Sequence, residues 1–358
     1  MTDAGAMVGP AVAEGVVRVA LPGKLMVAGE YSVLRPGGLA LAFAAGVAIE
    51  VEAWRVPSEA DGLQLVRRDT GAAWKRAGEV PADLRFLLAG LRAGGLTAGR
   101  VAAWAPRGTG IGDAKQGLGG SAAAVVAGLL VAHRLRDIPI DPDRFVTAAV
   151  VAHAAEQGGR GSGYDVATIA LGGATLWRVD HTDGAAAVSG TATALPLPTG
   201  LEIMTGFAGN SASTTKLVGR AMAALSPAER DAALEALGRP VGPLVAAVSA
   251  GDALAMRRAA DDANDALRHF DRLTGAGIMT DRLETLLAAA RELAPCRVSG
   301  AGGGDSVIAF DVTPGPLAVL EGRWRQAGFS TQRYTVAPNG AVAFGVPVPT
   351  APTEKSEA

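Results

Sequence analysis

The sequence is poor in cysteine and has no excess of charge of either sign. A single cysteine, Cys296, excludes an internal disulfide framework and a multi-cysteine metal cluster. Lys and Arg total 33 against 35 Asp and Glu, so the formal net charge of -2 provides no basic surplus for nucleic acid or an anionic membrane. We therefore expect no nucleic-acid partner and a reducing, cytoplasmic setting.

Long apolar runs are also missing. Residues 122–132 form an apolar stretch that Gly128 interrupts, and it falls well short of the roughly 20 apolar residues that a membrane span needs. Residues 1–14 lack the positive start and apolar core of a secretory signal. We expect no membrane segment, and the proline-rich, then charged residues 347–358 are predicted to be disordered.

Hydrophobic residues are plentiful, at 49% of 358 residues, and this length predicts two domains. Residues 16–20 are predicted as a strand that the Pro-Gly step at 22–23 breaks, and 121–135 as a buried, alanine-rich helix. Residues 180–199 have a loop-like composition and are the best candidate for a domain boundary. Residues 241–258 are predicted as one helix of an α+β second half.

A glycine-rich loop leads directly into the helix predicted at 121–135. It reads Lys115-Gln116-Gly117-Leu118-Gly119-Gly120-Ser121. Glycines let backbone amides approach an anion, and the positive end of the helix then holds it, which predicts a phosphate-binding loop. The spacing fits neither a Walker loop nor a dinucleotide-binding fingerprint. The alternative is a flexible loop with Ser121 as an ordinary N-cap.

A second glycine-rich segment, SGAGGGDS at 299–306, places four glycines between two strand-like runs. This is denser than a turn requires, and it favours a backbone that must approach a ligand closely. A bulge or a hairpin loop is the alternative. The four histidines show no metal-ligand spacing, and His133 and His153 are interpreted as core or helix-end residues.

Three segments together resemble the motifs of GHMP kinases, in the right order: GKLMVAGEY at 23–31, the loop at 117–123 and the loop at 299–305. The similarity covers about residues 16–335. Four further features resemble phosphomevalonate kinases more than mevalonate, homoserine or galactose kinases: residues 22–34, the lysine before the phosphate loop, residues 161–165 and residues 206–218.

The resemblance implies an α+β, two-domain GHMP kinase fold. Residues 1–195 would form a ribosomal-S5-domain-2-like N-terminal domain, residues 196–346 a ferredoxin-like α/β sandwich domain, and residues 347–358 a disordered tail. The implied activity is transfer of the γ-phosphoryl group of ATP to 5-phosphomevalonate, with Mg²⁺, in a cleft between the domains. A monomer or a homodimer is expected. Another GHMP kinase, such as a mevalonate kinase, and a non-catalytic metabolite-sensing homologue remain alternatives.

The resemblance also implies roles for individual residues. Nucleotide binding is implied for Gly117, Leu118, Gly119, Gly120, Ser121 and Ala122. Ser121 would also ligate Mg²⁺. Lys24 would lie at the reacting end of the acceptor and Lys115 near the transferred phosphoryl group, where positive charge offsets the charge on the equatorial oxygens. Asp165 would act as a base or orient the attacking oxygen, and capping the element that follows is its structural alternative.

The resemblance implies acceptor binding for Lys24, Ser162, Ser213, Thr214, Ser299, Gly300, Ala301, Gly302 and Gly303, with Lys216 nearby. Ser213 could equally cap the helix that it begins. Gly-Gly-Ser stands where the family commonly has Gly-Ser-Ser. The glutamate that mevalonate kinases use as a second metal ligand has no clean counterpart, although Glu156 and Gln157 lie near its expected place.

Overall fold

The computed structural model describes residues 16–55, 62–68, 70–75, 79–82, 84–104, 117–159, 161–183, 187–209, 214–304, 306–313 and 315–344. Lys115, Ser213 and the predicted tail at 347–358 lie outside these ranges.

The strands in these ranges are β1 (Val16–Ala28), β2 (Leu39–Trp54), β3 (Leu63–Arg67), β4 (Ala73–Trp74), β5 (Gly99–Trp104), β6 (Ala174–Asp183), β7 (Ala187–Leu195), β8 (Glu202–Phe207), β9 (Cys296–Ser299), β10 (Ser306–Asp311) and β11 (Ser330–Thr335). The α-helices are α1 (Arg85–Ala93), α2 (Gly120–Leu135), α3 (Pro142–Glu156), α4 (Tyr164–Leu171), α5 (Thr214–Ala223), α6 (Pro227–Gly238), α7 (Val241–Ala250), α8 (Ala253–Thr274), α9 (Asp281–Ala290) and α10 (Pro316–Gln326).

The first sheet is built around the long strand β2. Strand β1 runs antiparallel to it, while β5 and β6 pair with opposite ends of β2, and the order along the sheet is β4-β3-β5-β2-β6-β7. The predicted break at residues 22–23 is wrong, because β1 continues to Ala28. A register shift between Leu21 and Gly23 lets the strand pass the proline, which cannot donate a ladder hydrogen bond.

The loop predicted at 180–199 is also wrong, because β6 extends to Asp183 and β7 pairs with it antiparallel. Strand β7 is an edge strand of small residues, which gives little strand signal. Its Gly190 faces the buried ring of Trp177, and a Cβ at position 190 would lie 2.3 Å from that ring. Close packing, and not a turn, therefore explains this glycine.

Helix α2 confirms the prediction of a buried helix at 121–135. It packs against β1, β2 and α4, and nearly all of its residues are buried in the core of the first sheet. Because α2 is buried along most of its length and the Leu118 carbonyl just before it accepts the Lys24 N–H, its N-terminus at Gly120 lies against β1.

The second sheet is antiparallel, in the order β11-β8-β10-β9. Along β10, Val307 and Ala309 pack in a core with α8, α9 and α10, while Ile308 and Phe310 pack towards the first sheet. The single helix predicted at 241–258 is wrong. Gly251 adopts a left-handed conformation with φ of 66° that ends α7, and the side chain of Asp252 then caps α8.

An apolar core joins the two sheets. It contains Phe43 of β2 and Phe310 of β10, whose rings meet edge to face at 5.7 Å. Beyond β11 the chain crosses back, so that the Ala337 N–H donates to the Ala44 carbonyl and Ala341 is buried in the first core. The predicted domain limits, at 195/196 and 346/347, stay predictions.

None of the helices in the described ranges combines the length and the apolar composition that a bilayer crossing requires.

Candidate active site

Both glycine-rich loops are attached to β1 at neighbouring positions. The Lys24 N–H donates to the Leu118 carbonyl at 2.9 Å, and the Ser299 hydroxyl donates to the Met26 carbonyl at 2.9 Å. Residues 24 and 26 of an extended strand are about 7 Å apart. The structure therefore brings the loop before α2 and the loop after β9 to one region of the molecule.

The described part of the first loop presents a helix N-terminus. Gly117 and Gly119 have φ angles of 74° and 75°, and Gly119 is the N-cap of α2 without a side-chain hydrogen bond to the helix. Ser121 is therefore not an ordinary N-cap but lies in the first turn. The first amides of a helix have no intrahelical acceptor, and together with the helix dipole they favour an anion.

Lys24 lies against this helix end. A Cβ at Gly119 would be 3.0 Å from Cγ of Lys24, so the lysine stem runs directly over the loop. Its Nζ is 5.2 Å from the centroid of the Tyr164 ring, at the start of α4. Burial raises the pKa of the Tyr164 phenol, and the positive charge of Lys24 opposes that rise. Lys24 thus connects the N-termini of two helices.

Asp165 is half-buried in the first turn of α4. Its Oδ1 accepts the N–H of the next residue, Val166, at 2.9 Å, so one carboxylate oxygen bonds to a first-turn amide although Asp165 is not the N-cap. Gly163 is the N-cap with φ of 81°, and a Cβ there would be 2.9 Å from the Trp177 ring. Ser162, also half-buried, precedes this glycine. The close packing of Gly163 against Trp177 fixes the start of α4 and so positions Ser162 and Asp165 beside Tyr164, the residue that Lys24 contacts.

The hydroxyl of Ser121 contacts His153, which the sequence analysis interpreted as a core or helix-end residue without a role in the site. Oγ of Ser121 is 3.2 Å from Nε2 of His153 on α3, and Nε2 of Gln157 is 3.1 Å from the same ring nitrogen. Glu156, which lies beside Gln157, instead pairs with Arg85 at 3.1 Å. The one available sequence signal was the spacing of His153 and Gln157, four residues apart on one helix face.

The donors around Ser121 fit a magnesium ion that is held mainly by nucleotide. Within the described ranges, no three His, Cys, Asp or Glu side chains come together as a metal site. Ser121 is half-buried at a helix end that favours phosphate. Mg²⁺ keeps several waters and is usually bound by one or two protein groups together with substrate phosphates.

The second loop is held by its neighbours. The Tyr31 hydroxyl donates to the Ala301 carbonyl at 2.7 Å, and the Gly303 N–H donates to the Ile278 carbonyl at 2.7 Å. Gly302 has φ of 80°, and a Cβ there would lie 2.6 Å from the Ile278 side chain and 2.7 Å from its carbonyl oxygen. At Gly300, by contrast, a Cβ would meet nothing within 4 Å. The loop therefore joins β1 to the turn that contains Ile278.

A buried ion pair supports the same junction. Arg297 of β9 contacts Glu30 at 2.7 Å, Asn264 of α8 at 2.7 Å and the Val27 carbonyl at 3.2 Å. Arg297 and Glu30 are only 1% and 4% exposed. Burial raises the pKa of Glu30, and the charge of Arg297 opposes the rise. The partners are far apart in sequence, so no local pattern indicated them.

A cavity of about 480 Å³ opens beside the second loop. Its lining includes Lys216 and Arg220 of α5 together with Gly277 and Gly303. Helix α5 follows β8, and the second loop precedes β10. Because the end of β8 pairs with the start of β10, the helix and the loop lie at the same end of these two strands. The cavity is therefore lined by two cations, and the predicted acceptor residue Thr214 is exposed at the start of the same helix.

Comparison with known proteins shows what this architecture is similar to. The GHMP kinases N terminal domain family matches residues 109–173, and the GHMP kinases C terminal family matches residues 244–328. A curated phosphomevalonate kinase from Streptomyces sp. (strain CL190) is 29% identical over 369 aligned positions, which cover 89% of this chain and 96% of that protein.

Two solved structures have the same fold. A Lin0012 protein from Listeria innocua superposes with a TM-score of 0.74 at 22% identity, over 90% of this chain and 98% of that one. The Streptococcus pneumoniae phosphomevalonate kinase in complex with phosphomevalonate and AMPPNP has a TM-score of 0.70 at 22% identity, over 88% and 99%. These matches confirm the predicted two-domain α+β fold. Both GHMP kinase family models therefore match the chain, the N-terminal one before the C-terminal one, and the chain is similar to a phosphomevalonate kinase over most of its length.

Proposed function

We propose that the chain transfers the γ-phosphoryl group of ATP to 5-phosphomevalonate, giving ADP and 5-diphosphomevalonate. The observation that carries this proposal is the position of Lys24 between the N-terminus of α2 and the start of α4. A nucleotide phosphate bound at the N-terminus of α2 and an acceptor held at the start of α4 would both lie beside the ammonium group of Lys24. The matches to the GHMP kinase families and the ligands named for the pneumococcal relative support this donor and acceptor.

Phosphoryl transfer depends on positioning the two reactants and on stabilising negative charge more than on covalent catalysis. The loop at 117–122 would bind the nucleotide phosphates through backbone amides, and Lys24, with Lys115, would offset the charge on the transferred group. Magnesium, when bound, would neutralise phosphate charge, and Ser121 would hold it. Because the acceptor oxygen belongs to a phosphate that is already largely ionised at neutral pH, Asp165 would orient this oxygen more than deprotonate it.

The cationic cavity supports an acceptor that carries negative charge. Lys216 and Arg220 suit a phosphate or a carboxylate, and Gly303 of the second loop lines the same cavity. Ser162, Ser213, Thr214 and the remaining residues of the loop at 299–303 complete the proposed acceptor site. Mevalonate and homoserine carry one carboxylate and galactose no acidic group, whereas phosphomevalonate carries both a carboxylate and a phosphate for the two cations.

The test is release of ADP from MgATP with a panel of acceptors: phosphomevalonate, mevalonate, homoserine and galactose. We expect turnover with phosphomevalonate alone. Arg220→Ala should raise the KM for this acceptor about tenfold, since a charge-assisted contact is lost, and leave the KM for ATP unchanged. Arg323→Ala, on the exposed side of α10, is the matched control.

Turnover with mevalonate or a sugar, and not with phosphomevalonate, would refute phosphomevalonate as the acceptor but would still support a kinase activity. Tight ATP binding without turnover on any member of the panel would instead favour a metabolite-sensing protein.

A further inference from the structure

The contact between Ser121 and His153 is unusual for its surroundings. The buried face of α3 is otherwise apolar, and His153 itself is only 2% exposed. Its ring packs against Phe86 of α1, with centroids 5.4 Å apart. A buried polar group costs free energy unless it is hydrogen-bonded, so the partners of this ring are informative.

The two hydrogen-bonding neighbours of Nε2 indicate a direction for the Ser121 proton. Gln157 presents its amide nitrogen to Nε2 at 3.1 Å, and an amide nitrogen donates, so we assign the ring proton to Nδ1 and leave Nε2 as the acceptor. In that tautomer the Ser121 hydroxyl, 3.2 Å from the same nitrogen, is a second donor to it. A serine hydroxyl has one proton and two lone pairs, and giving the proton to His153 leaves both lone pairs for a ligand.

We infer that His153 is a positioning residue, which accepts the Ser121 proton and turns the lone pairs of Oγ towards the cation that accompanies the nucleotide. Gln157 holds the ring in the accepting tautomer. The inference rests on the proposed nucleotide site, and it concerns magnesium-dependent binding and not the acceptor. Residues that orient a metal ligand are commonly needed for about ten- to a hundredfold of metal affinity.

The experiment is calorimetric titration of the full chain with ADP, once with excess Mg²⁺ and once with a chelator. The ratio of the two dissociation constants measures the contribution of the cation without any turnover. Two variants form a matched pair. His153→Gln places a polar atom near the position of Nε2, whereas His153→Asn is one carbon too short to reach Ser121. His133→Asn is the control, because His133 lies on α2 twelve residues, about 18 Å, beyond Ser121.

We expect His153→Asn to lower the cation-dependent ratio about tenfold, with ADP alone binding within about twofold of the parent. His153→Gln should keep the ratio within about threefold, and His133→Asn should not change it. In a Ser121→Ala background, His153→Asn should cause no further loss, since the two residues act through one hydroxyl.

Several outcomes would overturn the inference. These are an unchanged ratio in His153→Asn, equal losses in the Asn and Gln variants, equal weakening with and without Mg²⁺, and full additivity with Ser121→Ala. A parent protein that binds ADP equally well with and without Mg²⁺ would overturn it too. Because no acceptor is present, none of these results depends on whether phosphomevalonate is the substrate.

Discussion

The two glycine-rich loops look alike in sequence but differ in what surrounds their backbones. At Gly117, in the first loop, a Cβ would meet nothing within 4 Å. At Gly302, in the second, the backbone of Ile278 already occupies that space. The amides that follow the first loop begin a helix and need external acceptors, whereas the Gly303 amide bonds to Ile278 within the protein. Glycine density therefore does not by itself separate a ligand-binding loop from a structural junction.

This difference predicts two kinds of variant. Changes near the first loop should remove nucleotide chemistry while the fold persists. Changes that disturb the second loop should lower the free energy of unfolding, in addition to any effect on the proposed acceptor site.

The largest expected effect is loss of the buried support beneath the second loop. Arg297→Met would leave Glu30 buried without its counter-charge, which costs about 3–5 kcal/mol of unfolding free energy. Denaturant unfolding followed by circular dichroism measures the loss. Labelling of Cys296 provides a second probe, because this buried thiol is the only cysteine in the chain and adjoins Arg297.

The double variant Arg297→Met, Glu30→Met is the control. Removing both charges should recover much of the stability, because a buried ion pair costs desolvation that an apolar pair avoids. If Arg297→Met unfolds within about 1 kcal/mol of the parent, the ion pair does not support the junction.

The next effect concerns the first loop. Lys24→Met keeps most of the stem that covers Gly119 but removes the ammonium, so kcat should fall by about 10²–10³, the usual effect of losing one transition-state contact. Unfolding free energy should change by less than about 1 kcal/mol, as expected for a partly exposed side chain. Steady-state ADP release and thermal unfolding measure the two quantities.

Lys75→Met is the matched control for Lys24→Met, because Lys75 is exposed and lies away from both glycine-rich loops in sequence. It should retain the parent rate. Equal rates for the Lys24 and Lys75 variants would remove Lys24 from the chemistry.

The sequence was informative where a feature depends on residues close together in the chain. Helix α2 and the loop before it were predicted because alanine content, glycine spacing and a helix start are local properties. Of the three errors in helices and strands, the break predicted at residues 22–23 came from a proline that a register shift accommodates, and the other two came from glycines with a tertiary or terminal role. Gly251 ends α7 in a left-handed conformation, and Gly190 makes room for Trp177.

The parts of the site that escaped prediction join distant residues. Glu30 and Arg297 are 267 positions apart, and Ser121 and His153 are 32 apart. Only folding brings such pairs together, and each residue alone fits an ordinary helix, strand or turn. The sequence predicted a site on two glycine-rich loops, which stays a prediction, but it did not indicate that the second loop would be hydrogen-bonded to Tyr31 and Ile278 within the protein.

The smallest effect tests whether close packing, and not backbone conformation, distinguishes the glycines of the second loop. Gly300 and Gly302 both have positive φ, 90° and 80°, so alanine strains the backbone at either position. Only at 302 would the new methyl group also collide with Ile278. Gly302→Ala should therefore lower the unfolding free energy by about 1–3 kcal/mol more than Gly300→Ala, the cost of overpacking a tight site. Parallel urea titrations measure the difference, and equal losses would show that backbone strain alone accounts for both.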